Sequence, residues 1–196
     1  MRLLIQRGAD HNARDEDNST PLHLASSRRN VKVAQLLLEA GANVDARDRN
    51  LSAPLHLASS GGQIKIMRLL IQRGADHNAW DKDGSTPLHL ASSAGNVEAA
   101  QLLLEGGADV DARDRNRSAP LHLASSRGQV EIMRLLIQRG ADFNARDKDG
   151  STPLHVASTR RNVKVAQLLL EAGANVDAWV SRSGLFSSFP IFSFPT

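Results

Sequence analysis

The chain has 196 residues, 41% of them apolar, which is enough for one domain or for one array of about six small units. Lysine and arginine exceed aspartate and glutamate by 24 − 21 = 3, a balance that argues against a dedicated polyanion binder and makes nucleic acid an unexpected partner. Cysteine is absent, which excludes a disulfide framework and a thiolate metal site and suits an intracellular, cytoplasmic protein.

The opening apolar run ends at Gln6-Arg7, too short for a signal peptide, and no later run approaches the roughly 18 apolar residues of a membrane span. Residues 1–13 are identical to 67–79 and differ from 133–145 only in carrying His11 where Phe143 stands. The chain is therefore expected to open inside a repeat, in the second helix of a unit whose first helix is missing. Met1 is read as an internal methionine of a longer array; a genuine start with a frayed first helix is the alternative.

Full units follow at 14–46, 47–79, 80–112, 113–145 and 146–178. Each carries the same six positions, displaced by 33 residues from copy to copy: Thr20-Pro21-Leu22-His23-Leu24-Ala25, Ala53-Pro54-Leu55-His56-Leu57-Ala58, Thr86-Pro87-Leu88-His89-Leu90-Ala91, Ala119-Pro120-Leu121-His122-Leu123-Ala124 and Thr152-Pro153-Leu154-His155-Val156-Ala157. In 80–112, Thr86 is placed to cap a helix whose first residue is Pro87, where a missing N–H is harmless and the fixed φ suits helical geometry. That helix is expected over about 87–93. Ala94-Gly95 breaks it, and Asn96 is placed to cap a second helix. The apolar face of that helix is Val97, Ala100, Leu102, Leu103 and Leu104, and it runs to Gly106-Gly107. An extended segment and turn fill 108–114. Two helices of this size enclose no interior, so their apolar faces must stack on neighbouring units.

The 33-residue period with Thr-Pro-Leu-His-x-Ala resembles the ankyrin-repeat family across 1–178. The resemblance implies an all-α solenoid of stacked helix-turn-helix units with β-turn or hairpin tips. It also implies that an intact array starts with a complete, more polar capping unit, which residues 1–13 are not expected to supply.

A second period of 66 residues lies over the first. Units 14–46, 80–112 and 146–178 share Ser-Thr-Pro-Leu-His, whereas 47–79 and 113–145 share Ser-Ala-Pro-Leu-His and differ from each other only at Leu51/Arg117, Gly61/Arg127, Ile64/Val130, Lys65/Glu131 and His77/Phe143. Most of these differences are expected to face solvent. The turn glycine present as Gly84 and Gly150 is replaced by Asn18, Leu51 and Arg117. Between the helices, Arg29 and Arg161 replace Gly62, Gly95 and Gly128. Each misfit is expected to cost about 1 kcal/mol or to shift its turn. With no following repeat, the last unit is expected to expose Val163, Val165, Leu168 and Leu169, a route to self-association. The segment 179–196 breaks the pattern after Trp179 and holds Phe186, Phe189, Phe192 and Phe194 among serines and prolines. It is read as an apolar tail outside the array, expected to be disordered, with 180–196 as translated intron.

His23, His56, His89, His122 and His155 form a column that invites metal or acid–base chemistry. No cysteine, convergent carboxylate or nucleophile joins them, so catalytic, cofactor and metal sites are all read as none. The resemblance implies a structural role instead, each histidine linking the nearby threonine (Thr20, Thr86, Thr152) and the backbone between units. Aspartates spaced as in Asp81-Lys82-Asp83 lack a calcium-loop pattern and are read as turn formers. The resemblance further implies an interaction scaffold that binds a protein partner through turn tips and the exposed sides of the first helices. The tip candidates are Arg47, Arg49, Trp80, Lys82, Arg113, Arg115 and Arg146, a composition enriched at binding hot spots. A solvated charged face is the alternative for these residues. For the whole chain the alternatives are a regulatory fragment of a larger signalling, channel or nucleotide-binding protein and, more weakly, an anionic-surface or nucleic-acid binder.

Overall fold

A computed structural model describes residues 9–176. The helix expected in residues 1–8, Trp179 and the tail 180–196 lie outside the described residues. Ten helices occur among the described residues, in five pairs: α1 (Pro21–Ser27) and α2 (Val31–Glu39), α3 (Pro54–Ser60) and α4 (Ile64–Gln72), α5 (Pro87–Ala94) and α6 (Val97–Glu105), α7 (Pro120–Arg127) and α8 (Val130–Gln138), α9 (Pro153–Thr159) and α10 (Val163–Glu171). No strand is formed among these residues; the segments between pairs are turns.

Each first helix begins with proline after an extended residue, and each second helix ends in a Schellman motif, which satisfies carbonyls that the helix leaves open. At the end of α2 the amide of Gly41 donates to Leu38 at 3.3 Å and that of Ala42 to Leu37 at 3.0 Å, with Gly41 at φ +88°. The first helices close in the same way. The amide of Asn96 donates to Ala91 over Gly95, and that of Asn30 donates to Ala25 over Arg29, which holds φ +60°. The misfit residues therefore keep the turn and bear the strain: Asn18, Leu51, Arg117, Arg29 and Arg161 all lie between +56° and +60°.

The first helices pack in series, α1 on α3, α3 on α5 and so on to α9, and the second helices form a parallel row. Leu22, Leu55, Leu88, Leu121 and Leu154 are wholly buried in one column, and Leu37, Leu70, Leu103, Leu136 and Leu169 in another. Burial of each such side chain contributes about 1.5–3 kcal/mol, and it depends on the neighbouring pair being present.

The expected exposure of the last pair is corrected. Val163 is 66% exposed, but Val165, Leu168 and Leu169 are buried in the continuous core, so one valine is all that remains of the anticipated apolar face. Of the positions that differ between the two most similar units, Leu51, Arg117, Lys65, Glu131 and Arg127 are exposed. Ile64, Val130, His77 and Phe143 are half-buried, because they pack at the edge of the core. A second correction concerns the caps: Asn30 accepts from the amide of Val33, but Asn96 does not cap α6. Its amide nitrogen reaches back to the carbonyls of Ser59 and Ser60, at 3.0 and 2.9 Å, and ties α6 to the preceding pair.

Candidate functional site

The histidine column sits at the third position of each first helix, a place fixed by the proline two residues earlier. The main-chain N–H of Thr20, Ala53, Thr86, Ala119 and Thr152 donates to Nδ1 of the histidine three residues on, at 3.1 to 3.3 Å. The threonine hydroxyls do not cap the helices but meet the same ring atom, at 2.8 Å from His23, 2.9 Å from His89 and 2.8 Å from His155. On the far side of the ring, Nε2 meets the carbonyl of Ser52 for His23, Ser85 for His56, Ser118 for His89 and Ser151 for His122, at 2.9 to 3.1 Å. A carbonyl only accepts, so Nε2 carries the proton and Nδ1 its lone pair. Burial pushes His23, His56, His89 and His122 below the usual imidazole range, against the opposing pull of those carbonyls and nearby aspartates. These four rings have both nitrogens engaged in the fold. Among the described residues no group of three metal-capable side chains occurs, and no helix is long and apolar enough to cross a membrane.

The tips are built by aspartate. Oδ1 of Asp15, Asp48, Asp81, Asp114 and Asp147 each accepts two main-chain amides of its own turn, as from Asp83 and Ser85 to Asp81, both at 2.9 Å. Across this frame the tip arginines form a ladder that is not evident from their charge. Nη1 of Arg47 donates to its own turn at Leu51 O, 2.7 Å, and to the next tip at Trp80 O, 2.6 Å. Arg14 reaches Asn18 O and Arg47 O, and Arg113 reaches Arg117 O and Arg146 O, in the same manner. Arg146 donates to Gly150 O at 3.1 Å. Arg49 pairs with the Asp17 carboxylate at 2.9 Å and also donates to Glu16 O, and Lys82 Nζ donates to Asn50 Oδ1 at 2.7 Å.

Trp80 interrupts this ladder. It is 57% exposed and offers no guanidinium to Gly84 O or Arg113 O, the carbonyls that correspond to Leu51 O and Trp80 O one tip earlier. The junction it faces has few side-chain ties near the tips, although Arg139 and Glu105 meet across it at 4.0 Å. Gln129 makes no backward bond where Asn96 and Asn162 do, and among the described residues the Arg115 side chain has no hydrogen bond or ion pair where Arg49, Lys82 and Lys148 each have one. A cleft of about 650 Å³ opens there, lined by Trp80, Gly84, Asp109, Arg113, Asp114 and Arg115. Three of the seven tip candidates thus converge, and the other four lie along the ladder on either side.

Residues 1–81, 47–114, 74–147 and 107–178 each match the family model for ankyrin repeats, which holds three copies. The chain belongs to the ankyrin-repeat family. No curated protein matches it. Ankyrin repeats are in general protein–protein interaction modules, and this one presents two surfaces that sequence reasoning did not single out. One is the column Leu24, Leu57, Leu90, Leu123 and Val156 on the first helices, exposed or half-buried although apolar. Its signal was present in the sequence as an aliphatic residue next to each histidine. The other is a ladder of Asn12, Asp45, Asn78, Asp111 and Asn144, whose Oδ1 atoms accept the amides of Asn43, Asp76, Asp109, Asp142 and Asn175 in the next ankyrin unit at 2.8 to 3.1 Å.

Proposed function

We propose that this ankyrin array is a non-catalytic scaffold that binds a partner protein on its tip face, with Trp80 as anchor. Arg113 and Arg115 stand beside it, and Arg47, Arg49, Lys82 and Arg146 extend the face along the neighbouring tips. The observation that carries this reading is the exposure of Trp80 in a column whose other described members are arginines tied to carbonyls. A large indole left in water stabilises the free protein little and gains most when a partner covers it. The engaged histidines support the same reading, because rings held at both nitrogens are placed for linkage between units rather than for proton transfer. Basic residues along the tips would speed encounter with an acidic partner surface, while their tied guanidinium groups keep the face rigid.

The test is capture of partners from cell extract on the immobilised protein, followed by titration of a purified partner. One-to-one binding is expected, weakened by about 2 kcal/mol or more in Trp80→Ala, with the melting curve unchanged. Equal affinity of wild type and variant would remove Trp80 from the site and move the search to the first-helix column of Leu24 and Leu57.

A further inference from the structure

The ladder shows what a guanidinium does on this surface. One nitrogen of Arg47 bridges a carbonyl of its own turn and a carbonyl of the next tip, and one nitrogen of Arg113 does the same with Arg117 O at 2.8 Å and Arg146 O at 3.2 Å. At the tip between them the equivalent acceptors are Gly84 O and Arg113 O. Among the described residues neither receives a hydrogen bond, because the position that would supply the donor holds Trp80.

The unfilled acceptors around the cleft favour a hydrogen-bond donor. Asp109 and Asp114 line the cleft, each with Oδ1 held by its own turn amides and the second oxygen meeting no donor among the described residues. Two guanidinium groups, Arg113 and Arg115, face those two carboxylates in the lining, so its formal charge is balanced and the two carbonyl dipoles tip the preference. An indole beside such a site adds the attraction of its ring face for a cation, and a planar fork bridges two carbonyls better than a compact ammonium group does.

We propose, resting on the partner-binding reading above, that the cleft beside Trp80 receives an arginine side chain of the partner protein. Its guanidinium completes the missing rung between Gly84 O and Arg113 O and lies against the indole.

The probe is the peptide acetyl-Gly-Arg-Gly-amide, followed by nuclear magnetic resonance of the intact chain at the amides of Ser85 and Asp114, which directly follow the two carbonyls and report hydrogen bonds to them. Saturable shifts are expected, at least tenfold weaker in affinity for the citrulline peptide, which has the same shape without charge. Asp109→Asn should weaken the arginine peptide severalfold. It keeps the turn, because Asn43 makes the equivalent bond to Asp45. Trp80→Arg fills the site from within, so both amides should be displaced before any peptide is added and should no longer titrate. Absence of a saturable shift, equal binding of citrulline, tighter binding of acetyl-Gly-Asp-Gly-amide, or an unaltered response in Trp80→Arg would each overturn the proposal. A partner whose binding depends on Trp80 while the arginine peptide fails would refute only the nature of the occupant. A partner indifferent to Trp80 refutes the tip-face reading itself.

Discussion

Nη1 of Arg47 lies 2.6 Å from the main-chain oxygen of Trp80, so the residue that breaks the tip ladder is itself held in place by it. The tie runs in one direction. Trp80→Arg should extend the ladder by two hydrogen bonds to Gly84 O and Arg113 O and raise unfolding stability by about 1 kcal/mol, the net value of exposed bonds of this kind. Urea denaturation should show a higher midpoint with an unchanged slope; an unchanged midpoint would mean that water serves those carbonyls equally well.

Stability should fall on acidification below neutrality. In the unfolded chain the histidines titrate near their ordinary value of 6.5, whereas burial holds His23, His56, His89 and His122 lower in the fold. Between the two values the unfolded state binds more protons, so the stabilisation is fully present above about pH 6.5 and is lost as pH falls through the folded values. Protonation would also set an N–H at Nδ1 against the main-chain N–H that now donates to it. Urea midpoints at pH 7.5 and 5.5 should differ in that sense, and His89→Gln should reduce the difference.

Leu51→Gly and Arg117→Gly should each stabilise by about 0.5–1 kcal/mol, since removing Cβ relieves a left-handed conformation that costs about 1–2 kcal/mol and glycine returns part of that through its larger unfolded-state entropy. Gly84 and Gly150 already serve at the equivalent position, both at φ +77°. Thermal unfolding of the two single variants and the double variant checks the size and additivity of the effect.

Ala53→Thr and Ala119→Thr should each add about 0.5–1.5 kcal/mol, through the hydroxyl-to-Nδ1 bond that Thr20, Thr86 and Thr152 make. The amides of Ala53 and Ala119 already reach their histidines at 3.1 Å, so the gain is the hydroxyl bond alone. Pairing each change with His→Ala in the same unit should abolish it; a gain that survives without the ring would assign the effect to helix capping.

Much of this was legible in the sequence because proline, histidine and glycine act locally. Pro87 after Thr86 favours a helix start and Gly95 its end, so helix positions followed from single units and the period from the five copies of the motif. The ties made by the tip arginines were hidden for a physical reason. A guanidinium in a charged, exposed loop reads as a free hand for a partner, and only the superposition of adjacent turns shows that Arg47 and Arg113 are tied to carbonyls 33 residues on. Asn96 misled in the same way, since its place before a helix suggests a cap and its use is a bond to the previous unit. The burial of Val165 matches that of Ile66 and Ile132 at the same position of earlier units, and so lay within reach of the repeat pattern.

The ties between the third and fourth pairs are unevenly distributed. On the first-helix side α5 and α7 pack closely, and His89 bonds to Ser118 O. On the tip side the main-chain bond from Arg115 N to Asp83 O, at 3.0 Å, stands without the side-chain straps found at the other junctions. Along the row of tips the side-chain stitching therefore skips one place, and Trp80 stands in the gap.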